Sequence, residues 1–337
     1  MKSQSRGSVL ITVIWMLSLL AIFTVVVNRR ASQELYAGEW MKNRILMRAL
    51  AQAGIERALL EIQSDKFITF DALNETWASN EDAFKERLLG EGSFSVACPM
   101  ADSENEESRY GACDESSRIN INTAPEEILK NLLKAVEPDK EDKEVVAIAE
   151  AIIDWRDSDS AALAQGAEAN YYRALSNPYN PRNDKLQSVE ELLMVRGIDE
   201  KLFKLLKPYV TIYTDGKVNF NTAPKIVLQA LGLSSESAIK VVEFRRGADL
   251  KEGTKDDGIF QSTETIAGNL SAISSFSGVD FAKISDAINQ NQVSVKSNTF
   301  RIHSIGRLMK DDKAIESSII CVITRLSGVL YWQEGEN

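Results

Sequence analysis

The run IIDWRDSDSAALAQGAEANYY carries Asp154, Asp157 and Asp159, then Gly166 and Glu168, and is the stretch of this chain whose residue types best suit chemistry. An Asp-x-Asp pair, a turn glycine and a more distant glutamate supply hard oxygen ligands of the kind that Ca2+ takes. The arrangement is not an EF-hand, because the spacing to the glutamate differs and a second Asp/Asn ligand set is missing. Spacing alone favours a solvated acidic loop over a metal site, and the residues leave both readings open.

Other chemistry has little material to work with. His303 is the only histidine and sits in FRIHSIGRL, which alternates like a strand, so a Ser-His-Asp or Cys-His mechanism is not expected and the chain reads as a non-enzyme. A hydrolase using Asp157, Asp159 and Glu168 with a metal would need an open coordination position and a pocket, and the near-absence of histidine makes it the weakest reading. Cys98, Cys113 and Cys321 show no zinc spacing. Cys98 and Cys113 flank a polar loop, Ala101 to Gly111, and are either a disulfide closing it in an oxidising compartment or two separate thiols. Cys321 lies in SIICVITR and reads as a small buried hydrophobe.

What positions these residues starts at the N-terminus. After MKSQSRG, the segment from Ser8 to Val27 has no charge, Pro or Gly and is long enough for one bilayer crossing as a helix. Lys2 and Arg6 before it and Arg29 and Arg30 after it leave the positive-inside rule nearly tied. Beyond Arg30 the Ala/Leu/Glu/Arg-rich sequence continues a helical period through Leu35, Ile45, Leu46, Ala49, Ala53 and Leu60. One helix from Ser8 to about Gln63 would span roughly 80 Å, its first half in lipid and its second half against a soluble domain.

Farther on, EGSFSVACP and SRININ alternate as strands, and TFRIHSIGRLM with AIESSIICVITRL forms a closing antiparallel hairpin. Between them lie helical stretches: APEEILKNLLKAV, DKEVVAIAEAIIDWRD, SVEELLMVRG with a Ser188/Glu191 capping-box pattern, and DEKLFKLLKPYV. Asp215-Gly216 in YVTIYTDGKVNFN signals a hairpin turn. The strand-Asn-Thr-Ala-Pro-helix pattern occurs twice, as RININTAPEEILKNLL and KVNFNTAPKIVLQALG. The sequence predicts that Thr123 and Thr222 cap the helices that follow, and that RININ and KVNFN are paired or neighbouring strands where a helical insertion leaves and returns.

Asn-Thr-Ala before a helix resembles the opening of helix-hairpin-helix DNA-binding domains, which gives one alternative, a membrane-anchored DNA receptor. Charge argues against it: 39 Lys plus Arg face 49 Asp plus Glu, for a net charge of -10. The turns VRGIDE and LGLSSE each place an acid where phosphate would approach, so no nucleic-acid partner is expected.

A basic leader ending in Gly7, then an apolar span that becomes a long amphipathic helix, resembles a type IV prepilin-like N-terminus. An ordinary signal anchor would share the first thirty residues. IIDWRDSDS, GAEANYY and SVEELLMVRGI, both Asn-Thr-Ala segments and the closing hairpin resemble, in order, the K-type minor pseudopilins of type II secretion. Most prepilin-like proteins have Glu at the fifth mature position; Thr12 stands there, as is habitual for the K type.

The resemblance implies an α+β pilin-like fold, a long N-terminal helix on an antiparallel sheet, interrupted by an all-α insert. Its parts would be a leader (1–7), a transmembrane segment (8–27), a first pilin-like part (28–122), the insert (123–212) and a second pilin-like part (213–337). It also implies cleavage between Gly7 and Ser8 by prepilin peptidase and a place in the bacterial inner membrane with the soluble part in the periplasm. The expected partners are I- and J-type minor pseudopilins at the tip of a pseudopilus. Structural Ca2+ is implied in the insert, on Asp157, Asp159 and Glu168, with Asn183 as a further candidate.

Overall fold

The computed structural model describes residues 5–65, 69–101, 107–273, 276–310, 313–326 and 328–336. The chain begins with α1 (Ser5–Gln63), followed by α2 (Glu81–Phe84), β1 (Arg87–Leu89), β2 (Gly92–Pro99), β3 (Ser108–Tyr110), β4 (Cys113–Asp114) and β5 (Ile119–Asn120). Next come α3 (Glu126–Val136), α4 (Asp142–Arg156), α5 (Ala169–Arg173), α6 (Glu200–Leu206), β6 (Val210–Thr211) and β7 (Val218–Asn219). The last elements are α7 (Lys225–Ala230), α8 (Ser235–Arg246), α9 (Thr263–Ala272), α10 (Gly278–Asn289), β8 (Val293–Ser294), β9 (Thr299–Lys310), β10 (Lys313–Thr324) and β11 (Val329–Glu336).

The first half of α1 is apolar and exposed, from Val9 through Val27. Burial begins at Met47 and follows a helical stripe: Met47, Leu50, Ala51, Ile55, Ala58 and Ile62. This stripe lies on the antiparallel sheet β1-β2-β9-β10-β11, sharing a core with Val96, Phe300, Ile302 and Ile319. Each large side chain so buried contributes about 1.5–3 kcal/mol. Helix and sheet approach closely because glycine stands at the crossing: a Cβ on Gly306 would lie 2.1 Å from the Met47 carbonyl oxygen. The expected β9–β10 hairpin forms, and β11 adds an edge strand to β10 that the alternation did not reveal.

A second core holds the helices, and it is where the reading of the repeat needs correcting. RININ and KVNFN do not pair with each other. β5 pairs in parallel with β6, and β7 pairs in parallel with β8. Asp215-Gly216 is therefore a link between two copies of one unit, not the turn of a hairpin. Each copy runs strand, Asn-Thr-Ala-Pro, helices, parallel strand. The helical core accordingly continues past residue 212, through Val227, Leu228, Val241, Phe260 and Ile284 to Val295. A division at 212/213 would cut that core, because α7–α10 complete it.

The two copies repeat their polar contacts as well. Asn120 Oδ1 accepts from the Asn122 N–H at 2.8 Å, and Asn219 Oδ1 from the Asn221 N–H at 3.0 Å. The Asn122 amide then brackets Leu186, accepting from its N–H and donating to its carbonyl; Asn221 does the same to Phe260. Arg156 donates to the Ile121 and Ala124 carbonyls, and Arg245 to those of Phe220 and Ala223. Buried backbone groups must be paired, and the repeated residues do that pairing.

The helix caps differ from expectation. Pro125 and Pro224 occupy the N-cap positions of α3 and α7, where neither can supply a side-chain acceptor. Thr222 instead donates to Asp114 Oδ2 at 2.5 Å. Ser188 forms no side-chain cap: residues Val189–Met194 are a 3-10 helix, and Glu191 pairs with Arg182 and the Gln187 N–H.

Candidate metal centre

The C-terminal end of α4 delivers the acids, since 3.6 residues per turn set Glu150, Asp154 and Asp157 along one side. Asp154 is fully buried and accepts from the Leu163 N–H at 3.2 Å, while Glu150 accepts from the Gln165 N–H. These two carboxylates tie the following loop down onto the helix. Gly166 is required at its place: a Cβ there would lie 1.9 Å from Asp154 Oδ2. Trp155 packs edge to face with Tyr172 and with Tyr179, at centroid separations of 5.2 and 6.2 Å.

The tied-down loop brings Asp157, Asp159 and Glu168 together, one carboxylate oxygen from each lying within 4.8 Å of the others. Glu168 caps α5, accepting from the Ala169 N–H through Oε2. Asn183, in the left-handed region at φ 48°, joins from the far end of the loop, donating its side-chain amide to the Asp159 carbonyl. Asp157 Oδ1, Glu168 Oε1 and Asn183 Oδ1 are buried without a hydrogen-bond partner. Three orphaned oxygens on one loop are costly unless something electropositive meets them. Burial, then the Asp159 charge, raises the Asp157 carboxyl above its ordinary range; burial, then Asp154 and Asp157, raises that of Glu168. All the converging atoms are hard oxygens, the donor set that suits Ca2+.

The second copy of the unit supplies an internal contrast. Its corresponding loop is also acidic, but Asp256 accepts from the N–H groups of Ala248 and Asp249, and Asp257 from those of Gly253 and Thr254. There the chain saturates its own carboxylates. In the first copy Asp157 Oδ1 and Glu168 Oε1 are left without a hydrogen-bond partner. Asp154, the acid nearest the pair in sequence, acts as a loop tie, a role that only its buried position reveals.

The remaining candidate residues lie elsewhere. Gly7 and Ser8 fall in the first turn of α1, and residues 1–4 of the leader lie outside the described residues. Cys98 on β2 and Cys113 on β4 are joined in a disulfide with a Cα separation of 5.3 Å. Much of the loop it closes, residues 102–106, lies outside the described residues. Cys321 is a buried free thiol, and burial pushes it up to about 12. His303 is a β9 residue opposite Ile320 in the register with β10. The second Asn-Thr-Ala loop faces inward, with Asn219, Asn221 and Thr222 buried, whereas in the first Asn122 is half-buried and Thr123 exposed.

Comparison with known proteins places this architecture. Residues 103–215 match the family model for type II secretion system protein K. The protein K of Pectobacterium carotovorum subsp. carotovorum is 27% identical over 231 residues, covering 66% of this chain and 68% of that one. Residues 103–215 thus carry the protein K domain, and the likeness to protein K relatives extends over about two thirds of this chain. The chain is a minor pseudopilin, and the comparisons lend no support to the DNA-receptor alternative. The protein K of Aeromonas hydrophila is 41% identical over 101 residues, 29% of this chain and 30% of its own length. Among solved structures, the crystal structure of the GspK-GspI-GspJ complex from the enterotoxigenic Escherichia coli type 2 secretion system matches with a TM-score of 0.60 and 19% identity. It covers 92% of this chain and 100% of that chain. The shared fold is a pilin-like helix and sheet carrying a helical block.

Proposed function

We propose that this minor pseudopilin sits at the tip of a periplasmic pseudopilus and helps initiate its assembly together with I- and J-type pseudopilins. The observation that carries the reading is where the helical block joins. Arg325, in the turn after β10, donates to the carbonyl of Ile62 at the C-terminal end of α1, and Asp71 accepts Arg325 while its N–H bonds Val295 of the block. The block is thus fixed to the end of α1 opposite the apolar span, where a further subunit would otherwise stack. The span from Val9 is long and apolar enough to cross a membrane, and the reading places it in the inner membrane with the remainder in the periplasm.

Processing by prepilin peptidase between Gly7 and Ser8 would leave Ser8 as the mature N-terminus. Thr12, five residues in, donates to the Val9 carbonyl within its own helix and carries no charge to offer a neighbouring subunit. A tip subunit has no neighbour above it to need one. Packing between N-terminal helices would supply much of the association. Asp157, Asp159 and Glu168, with Asn183, would hold Ca2+. The ion would neutralise the orphaned oxygens and order the loop, and no catalytic step is assigned to it.

Two measurements test the proposal. Intact mass of the full chain, coexpressed with prepilin peptidase, should fall by residues 1–7, with or without a methyl group on Ser8. Gold-labelled antibody against the helical block should mark one end of assembled pseudopili. Label distributed along the filaments would refute tip placement.

A further inference from the structure

Three acids converge at the junction between the two cores. Asp65 lies two residues beyond α1, and Asp71 and Glu75 lie in the segment that leads to α2. One carboxylate oxygen from each lies within 4.8 Å of the others. Arg325 reaches two of the three, with Nη1 at 3.3 Å from Asp65 Oδ2 and Nη2 on Asp71 Oδ1.

Glu75 supplies a second, independent observation. Only 8% of it is exposed, and its two oxygens have different fates. Oε2 accepts from the Ala72 N–H at 2.8 Å and the Trp77 indole N–H at 3.0 Å. Oε1 is buried with no hydrogen-bond partner. The paired oxygen orients the carboxylate, and the orphaned one is left for something else. A buried, ionised oxygen without a partner is expensive, so it is matched by a proton or by a cation.

We propose that Asp65, Asp71 and Glu75 form a second divalent-cation site, of the Ca2+ class, that ties the end of the long helix to the helical block. All three donors are hard oxygens, the set that Ca2+ takes. Asp71 connects the site to the block directly: its N–H bonds the Val295 carbonyl, and its Oδ2 accepts from the Ser297 N–H at 2.7 Å. An ion here would stiffen the join between shaft and block, in a different place and by different residues from the Asp157 loop.

Trp77, hydrogen-bonded to Glu75, is a built-in antenna for Tb3+, which occupies Ca2+ sites and emits when a nearby tryptophan is excited. The test uses the full-length chain in detergent, with Asp157→Asn, Asp159→Asn and Glu168→Gln removing the loop site. Tb3+ should give saturable, tryptophan-sensitised emission that Ca2+ competes away. Glu75→Gln or Asp65→Asn should abolish it. Trp77→Phe should lose emission but keep radiolabelled Ca2+ bound. Circular dichroism checks folding, and Asp65→Asn, at an incompletely buried helix end, serves if Glu75→Gln does not fold. Emission that survives both carboxylate variants, or no Ca2+-competed emission from folded protein, overturns the proposal. So does a Glu75→Gln protein that is more stable above neutral pH and indifferent to Ca2+, because a shared proton then fills the place of the ion.

Discussion

Replacing Glu115 by glutamine should cost this protein about 3 kcal/mol at neutral pH, and that cost should vanish in acid. Glu115 stands at the doorway between sheet and helical block, with no exposed surface. It accepts from Arg301 of β9 at 2.9 and 2.8 Å and from Thr211 of β6 at 2.6 Å, and Arg118 lies 3.5 Å away. Burial by itself would raise its carboxyl. The Arg118 and Arg301 guanidiniums overcome that and bring it from 4.5 down to about 2. Each tenfold in proton affinity is worth about 1.4 kcal/mol, which gives the figure above. The folded-state value lies below the unfolded one, so the native state binds fewer protons between them. The stabilisation is complete above about 4.5 and is lost as pH falls toward about 2. Urea unfolding of both proteins from pH 7 downward, followed by circular dichroism, should show two stability curves that converge in acid. A gap below about 1 kcal/mol at pH 7, or one that does not change with pH, would refute the assignment of Glu115 as the charge that joins the two halves.

Two further perturbations probe the loops. Ca2+ at a hundredfold excess over its dissociation constant should stabilise the folded chain by about 2.7 kcal/mol, so chelation should lower the melting temperature by several degrees. The response should be smaller in Asp157→Asn/Glu168→Gln, as differential scanning fluorimetry would show, and an unchanged melting temperature in the unsubstituted protein would count against cation binding. Replacing Cys98 and Cys113 together by alanine opens a connection of 15 residues. By loop-closure entropy this should cost about 3 kcal/mol in urea unfolding, and an equal midpoint would mean that β2 and β4 hold their places without it.

The long helix, the closing hairpin and the acidic loop were legible in sequence because each is written locally. An uncharged run can satisfy its backbone in a membrane only as a helix, alternation at period two marks a half-buried strand, and Asp157, Asp159 and Glu168 stand within one short stretch. The Asn-Thr-Ala repeat was visible too, but its meaning was not. Its partner strands, β6 and β8, are two residues long and far down the chain, too short for any periodicity to show. Asn122 finds Leu186 and Asn221 finds Phe260 only when helices fold between them. The same holds for the carboxylates. Composition says that this protein is acidic. Only the tertiary structure decides that Asp256 and Asp257 are saturated by their own loop, that Glu115 is paired with an arginine from another element, and that Glu75, Asp157 and Glu168 each keep an oxygen unpaired. Whether a charge is solvated, paired or waiting for a ligand depends on neighbours brought from elsewhere in the chain, because the cost of burying it is set by what surrounds it and not by its position in sequence.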